Sequence, residues 1–302
     1  MLQLIKNWML PIAMGLGGVF YPFFGRLSFL TPYLIFSMLL VTFCKISFKN
    51  MKIHPLHVSL LLIQLVGCLL IYGIIRIVNP VVSEGALICL LAPTATSAAV
   101  ITGMLGGDIA FLTTYTLFSS VGVAIAAPII FSFLGTHQDM SFWSSFFYIC
   151  KQVIPLLILP LLVAWLLQRF VPIIHRKILA TRQLGFYLWA VALAIVTGKT
   201  VVFLLNQQHP DYTNEILLAV VSLVVCVGQF LTGRALGKRY KDPISAQQGL
   251  GQKNTILAIW MAQVYLTPIS SIAPAAYVLW QNIINSYQLW KKRKDELGVC
   301  DK

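Results

Sequence analysis

Along this chain the apolar residues run in long blocks, separated by short clusters of glycine, proline, asparagine or charged residues. A helix that crosses the hydrocarbon core of a bilayer needs about 20 predominantly apolar residues. Ten stretches approach that length: 7–24, 28–46, 54–78, 85–104, 108–134, 143–169, 181–206, 213–236, 243–265 and 268–290. The pattern predicts an all-α polytopic membrane protein, residues 1–302 forming a single transmembrane unit. Its first five-helix set would be 1–134 and its second 143–290, with a basic tail at 291–302. The apolar run after Lys6 resembles a signal peptide in outline. No small-residue cleavage site follows it and the next span arrives at once, so it is kept as the first helix.

Two of the blocks are interrupted by polar or helix-breaking residues. In Ala92–Thr102 (APTATSAAVIT) a proline is followed by small hydroxylated residues, and Gly249–Ala258 (GLGQKNTILA) carries glycines, amides and a lysine. Irregular backbone at membrane depth persists only where it is packed in protein or lines a cavity. A pair of interrupted spans at corresponding positions of two halves points to the binding site of a secondary transporter. The interruptions fall in the fourth and ninth spans, which are equivalent positions. An odd number of helices per set makes the second set enter the membrane with opposite orientation, so the repeat would be inverted.

Composition supports the membrane assignment and charge gives it a direction. Hydrophobic residues make up 58% of the 302 and charged residues 10%. A net charge of +13 would suit nucleic-acid binding in a soluble protein. Here most Lys and Arg collect in alternate connections: Lys6; Lys45, Lys49 and Lys52; Arg169, Arg176, Lys177 and Arg182; Arg234, Lys238, Arg239 and Lys241; and Lys291, Lys292, Arg293, Lys294 and Lys302. The positive-inside rule places these and both termini in the cytoplasm. Arg26, Arg76, Glu84, Asp139, Asp211 and Glu215 are assigned to the outer side, and Lys151, Lys199 and Lys253 fall within spans. The KKRK run at 291–294 is read as a topology signal in preference to a lipid-headgroup patch. The six cysteines show no metal-type spacing and are read as packing residues. No nucleophilic triad, P-loop or ligand cluster appears, which argues against an enzyme and against a bound cofactor.

The interrupted segments resemble those of the bile acid:sodium symporter family. Within Ala92–Ala110 (APTATSAAVITGMLGGDIA), Pro93, Thr96, Val100, Gly107, Asp108 and Ala110 match that family's fourth helix and the turn into its fifth. In GLGQKNTILA and the later TPISSIAPAAYVLWQNI, Gly251, Asn254, Leu257, Ala258, Pro274, Trp280, Asn282 and Ile283 keep step with its ninth and tenth. His54-Pro55 and Lys151 with Pro155 are also similar. The resemblance implies a bacterial member, set in the inner membrane, with ten helices, a four-helix panel domain and a six-helix core domain. The fourth and ninth helices would be broken and crossing, and substrate would be taken up between the domains.

The family's sodium ligands fall on residues that change the expectation. The Ser-Asn pair of the fourth helix falls on Ala98 and Ala99, one hydroxyl of the fifth on Leu112 and the other on Thr116. The glutamate of the ninth falls on Gly249 and its glutamine on Lys253, beside Gln252, while Gln64 lies one residue from the third-helix glutamine. Alanine and glycine offer no side-chain oxygen, which argues against sodium coupling through these sites. An ammonium in the membrane interior costs about 2.5–3.5 kcal/mol on insertion scales, so Lys253 is expected to have a task. One reading makes it a built-in cation that joins the crossing helices, with backbone carbonyls, Gln248, Gln252 and Thr96 as partners and an anionic substrate completing the neutralisation. In a second reading Lys253 gives up a proton during the cycle, making transport proton-linked. In a third it snorkels to the cytoplasmic face.

Thr94, Thr96, Ser97, Asn254 and Thr255 are the candidate substrate-binding residues, because they place hydroxyls and an amide at half-helix termini that favour anions. Their alternative is helix–helix hydrogen bonding and close small-residue packing. His209 reads as a solvated loop residue and Lys199 as snorkelling. The expected function is alternating-access transport of a small organic anion, a bile acid or another carboxylate metabolite. The alternative is a membrane receptor or scaffold that keeps the fold without transporting. The expected partners are the anion and the lipid bilayer, with no nucleic acid.

Overall fold

The computed structural model describes residues 9–46, 51–95, 97–134, 141–181, 184–206 and 212–300. Its elements are all helical: α1 Met9–Val19, α2 Tyr21–Arg26, α3 Thr31–Cys44, α4 Pro55–Arg76, α5 Pro80–Leu91, α6 Ala98–Leu105, α7 Ile109–Leu134, α8 Phe142–Phe170, α9 Pro172–Ala180, α10 Leu184–Leu205, α11 Tyr212–Arg239, α12 Pro243–Gly251, α13 Thr255–Tyr265 and α14 Ile272–Cys300. Short 3-10 turns at Leu27–Leu30 and Pro268–Ser271 precede α3 and α14. Among the described residues, six stretches are long and apolar enough to cross a membrane: Tyr21–Cys44, Pro55–Arg76, Ile109–Leu134, Phe142–Phe170, Leu184–Leu205 and Tyr212–Arg239. The chain is an all-helical, polytopic membrane protein.

Helix starts follow from local chemistry. Pro55, Pro80 and Pro243 each occupy a first helical position, where a missing N–H costs nothing. The residue before each is a side-chain cap: His54 accepts from the Leu56 amide, Asn79 from Val82 and Asp242 from Ser245. Asp108 does the same for α7, its carboxylate accepting from the Phe111 amide at 2.9 Å. Gly106, at φ 84°, closes α6 in the left-handed conformation that glycine adopts without strain.

Several boundaries differ from the sequence expectation. The first span is bent at Phe20 into α1 and α2. The connection expected around Arg176 and Lys177 forms α9 after Pro172. The span expected from 85 begins at Pro80, so Glu84 lies inside α5 rather than in an outer loop. The spans expected to end at 236 and 290 continue helically to Arg239 and Cys300, through basic residues that favour a helix as strongly as the apolar ones before them. Charge marks where an apolar run ends, not where the backbone stops being helical.

The chain divides into two compact units, one of Met1–Ile46, Ala124–Glu215 and Ile256–Ile272, the other of Ser47–Val123, Ile216–Thr255 and Ala273–Lys302. In the first, helical turns run on from Tyr21 to Cys44, yet the packing shows a reversal. Gly17 lies against the Ala194 backbone and Gly25 against Val202, so α1 and α2 run alongside α10 in its own direction. Val41 lies against Gly185, so α3 returns along α10 the opposite way. Small residues at these contacts allow the close backbone approach that packs helices in lipid. In the second unit, Leu56, Leu60, Ala98, Leu112, Tyr115, Ala246 and Leu250 form a buried cluster that holds α4, α6, α7 and α12 together.

Candidate functional site

Within the second unit the helical ladder is broken twice, between α5 and α6 and between α12 and α13. Pro93 has no N–H to continue α5, and Ala92 before it takes an extended ψ of 137°. Gln252 is likewise extended. The two breaks pair as a single antiparallel bridge between Thr94 and Lys253. The Ala95 amide donates to the Gln252 carbonyl at 3.0 Å and the Asn254 amide to the Pro93 carbonyl at 2.8 Å.

A helix that stops inside a protein leaves its last four carbonyls without intrahelical donors, and each must find another. At the end of α5 all four are met by side chains. Gln229 donates to Cys89 at 3.3 Å, the Lys253 ammonium to Leu90 at 2.9 Å, and the Gln64 amide to both Leu91 and Ala92 at 2.9 and 3.0 Å. Gln64 is in turn fixed through its oxygen, which accepts from Tyr115 and Ser119 at 3.1 Å each. At the end of α12, Thr94 donates to the Gly249 carbonyl at 2.8 Å and Tyr277 to Gly251 at 2.7 Å. Thr94 and Lys253 thus make a reciprocal exchange: each reaches the carbonyl four residues before the other in the partner helix. The exchange is chemically uneven, because one partner is a neutral hydroxyl and the other a cation.

Lys253 is 1% exposed, and its Nζ donates to the Leu90 carbonyl rather than reaching solvent. A helix C-terminus carries the negative end of the macrodipole, so the end of α5 is an electrostatically suitable place for an ammonium. Its backbone N–H donates to the Gln281 oxygen at 3.0 Å, tying the break to α14. Of the partners expected for it, a backbone carbonyl is observed; Gln248 and Gln252 bond instead to one another. Thr96 lies outside the described residues, as does the loop that carries His209.

The other singled-out residues divide by environment. Thr94, Asn254 and Thr255 are buried, whereas Ser97 is exposed at the first turn of α6 and donates to the Gln252 oxygen at 3.4 Å. The Thr94 proton is committed to Gly249, so its hydroxyl braces the backbone. Ala98 and Leu112 are fully buried, Ala99 is half-buried, and Thr116 donates to the Leu112 carbonyl of its own helix at 2.9 Å. A side-chain carbon on Gly249 would fall 2.8 Å from the Tyr115 ring and 3.2 Å from Leu112. The space that a glutamate there would need is filled by those two side chains. These residues do not fit the sodium sites of the family the sequence resembles. Among the described residues, no group of three or more His, Cys, Asp or Glu is placed to hold a metal ion.

A polar stripe on α14 escaped the sequence reading. Gln281, Asn285, Gln288 and Lys292 recur at spacings of three and four, on one face of the helix. Gln281 accepts from Lys253, Gln288 accepts from Gln248 at 2.8 Å, and Lys292 donates to the Met104 carbonyl at the end of α6 at 3.0 Å. Asn285, between them and 5% exposed, has an oxygen with no hydrogen-bond partner in the structure. The 3.6-residue spacing of these amides is the signal that could have found the stripe. It was masked because the helix also carries apolar residues on its other faces.

No protein-family model matches the chain, and no curated protein matches it.

Proposed function

We propose that this protein is a secondary transporter of a small organic anion, similar in plan to the bile acid:sodium symporters but with Lys253 standing where those proteins place a mobile cation. In this reading the chain crosses the membrane ten times as two inverted sets of five helices. The reciprocal Thr94–Gly249 and Lys253–Leu90 exchange carries the proposal. Two inverted segments meeting at a pseudo-two-fold axis would make such an exchange, and discontinuous helices of this kind coordinate substrate and ions in transporters. The carbonyl end of α5 holds the ammonium, and the neighbouring N-terminal end of α6, with Ser97 exposed, turns the positive end of its helix dipole toward an anion. Rocking about the paired breaks would turn that surface to each side of the membrane in succession. The fixed positive charge replaces ion binding as the means of neutralising the cargo.

The capping of all four carbonyls at the end of α5 also suits a receptor or scaffold that holds one conformation. Flux separates the two. Proteoliposomes containing the protein should accumulate a labelled carboxylate with saturable kinetics, and Lys253→Met should abolish that uptake while the protein remains folded. Specific binding of the same carboxylate with no flux in either direction would replace the transporter reading with the receptor one.

A further inference from the structure

The basic turn at the end of α14 has features that a topology signal does not require. The helix runs without interruption from Ile272 to Cys300, so Lys291–Lys294 are held at fixed angles around its axis. Lys292 belongs to the inward stripe and donates to Met104, beside Gly106, where α6 ends. The opposite face carries Tyr287, Trp290, Lys291 and Lys294, again at spacings of three and four. Tyr287 and Trp290 are 59% and 57% exposed, and the Lys294 ammonium lies over the Trp290 ring at 5.5 Å from its centroid. Arg293 is exposed between the two faces. Exposed Tyr and Trp mark the headgroup level of a bilayer, and clustered Lys and Arg just beyond it attract anionic lipid.

We propose that the outward face of α14, formed by Trp290, Lys291 and Lys294 with Arg293 at its edge, is a binding site for the phosphate headgroup of an anionic phospholipid, and that its occupancy is transmitted to the end of α6 through Lys292. A bound headgroup braces the basic turn in its helical form, and that form keeps Lys292 on the Met104 carbonyl. Glu296, 3.5 Å from the same ammonium, holds Lys292 from one turn further along the helix. Because α6 follows the first break, the lipid site stiffens one of the segments that meet there. Lipid binding at this face does not depend on the transport reading.

The test places the protein in nanodiscs of phosphatidylcholine, with or without phosphatidylglycerol, and follows amide hydrogen exchange at Gly106 and Gly107. These amides donate to the Gly103 and Thr102 carbonyls. In the parent, phosphatidylglycerol should slow their exchange several-fold. A Lys291→Gln/Arg293→Gln/Lys294→Gln variant should lose both the slowing and the retention of phosphatidylglycerol after lipid exchange. Lys292→Gln should retain the lipid yet lose the slowing, which separates binding from transmission. Inorganic phosphate added to phosphatidylcholine discs should do nothing. Equal exchange in the two lipids, an unaltered response in the triple variant, or full mimicry by free phosphate would each overturn the proposal.

Discussion

Replacing Lys253 by methionine removes a buried charge and one hydrogen bond together. The desolvation relieved, about 2.5–3.5 kcal/mol on insertion scales, and the donor lost from Leu90, about 1–3 kcal/mol, act in opposite directions and largely offset. Lys253→Met should therefore change the stability of the detergent-solubilised protein little, while its response to organic anions disappears. Thr94 behaves differently, since no charge is involved. Thr94→Val leaves the Gly249 carbonyl buried without a donor and should cost about 1–2 kcal/mol in denaturant titration, whereas Thr94→Ser should cost far less. Gln64→Leu strips partners from the Leu91 and Ala92 carbonyls and from Tyr115 and Ser119 at once. It should be the most damaging of these changes, at about 3 kcal/mol or more. The sequence marked Lys253 because a cation among apolar residues is conspicuous. It could not say which carbonyl the side chain reaches, because that follows from how two distant breaks meet.

Helices here are set by short signals at their ends and by long apolar runs between. The runs were legible, and so were the two interruptions, because proline, glycine and amides stand out against leucine and valine. Bends within a helical path were not. The turn at Leu27–Leu30 preserves helical geometry, and only the order of contacts along α10 shows that the chain has reversed. The second path, α3, has 14 residues, about 21 Å of helix, short of the ~30 Å hydrocarbon core. End signals can be tested singly. Asp242→Ala removes the cap from α12 and should lower stability by about 1 kcal/mol, read from the shift in unfolding midpoint. Gly249→Ala forces a carbon against the Tyr115 ring and should cost about 1–3 kcal/mol despite the better helix propensity of alanine.

Across the whole molecule, charge is distributed in two ways. Most of the described Lys and Arg lie toward helix ends, while Lys253 sits in the interior at a helix C-terminus. A transporter whose cation is part of the chain has no need of one from solution. The measurement that bears most directly on this is the melting temperature of the purified protein, taken with and without a panel of carboxylates, as sodium chloride replaces choline chloride at constant ionic strength. A ligand that binds the folded state raises the midpoint by mass action. The account predicts that a stabilising carboxylate is found, that its effect is equal in sodium and in choline, and that Lys253→Met abolishes it in both. Stabilisation that appears only as sodium is added, or that survives in Lys253→Met, would contradict the claim that Lys253 takes the place of a transported cation.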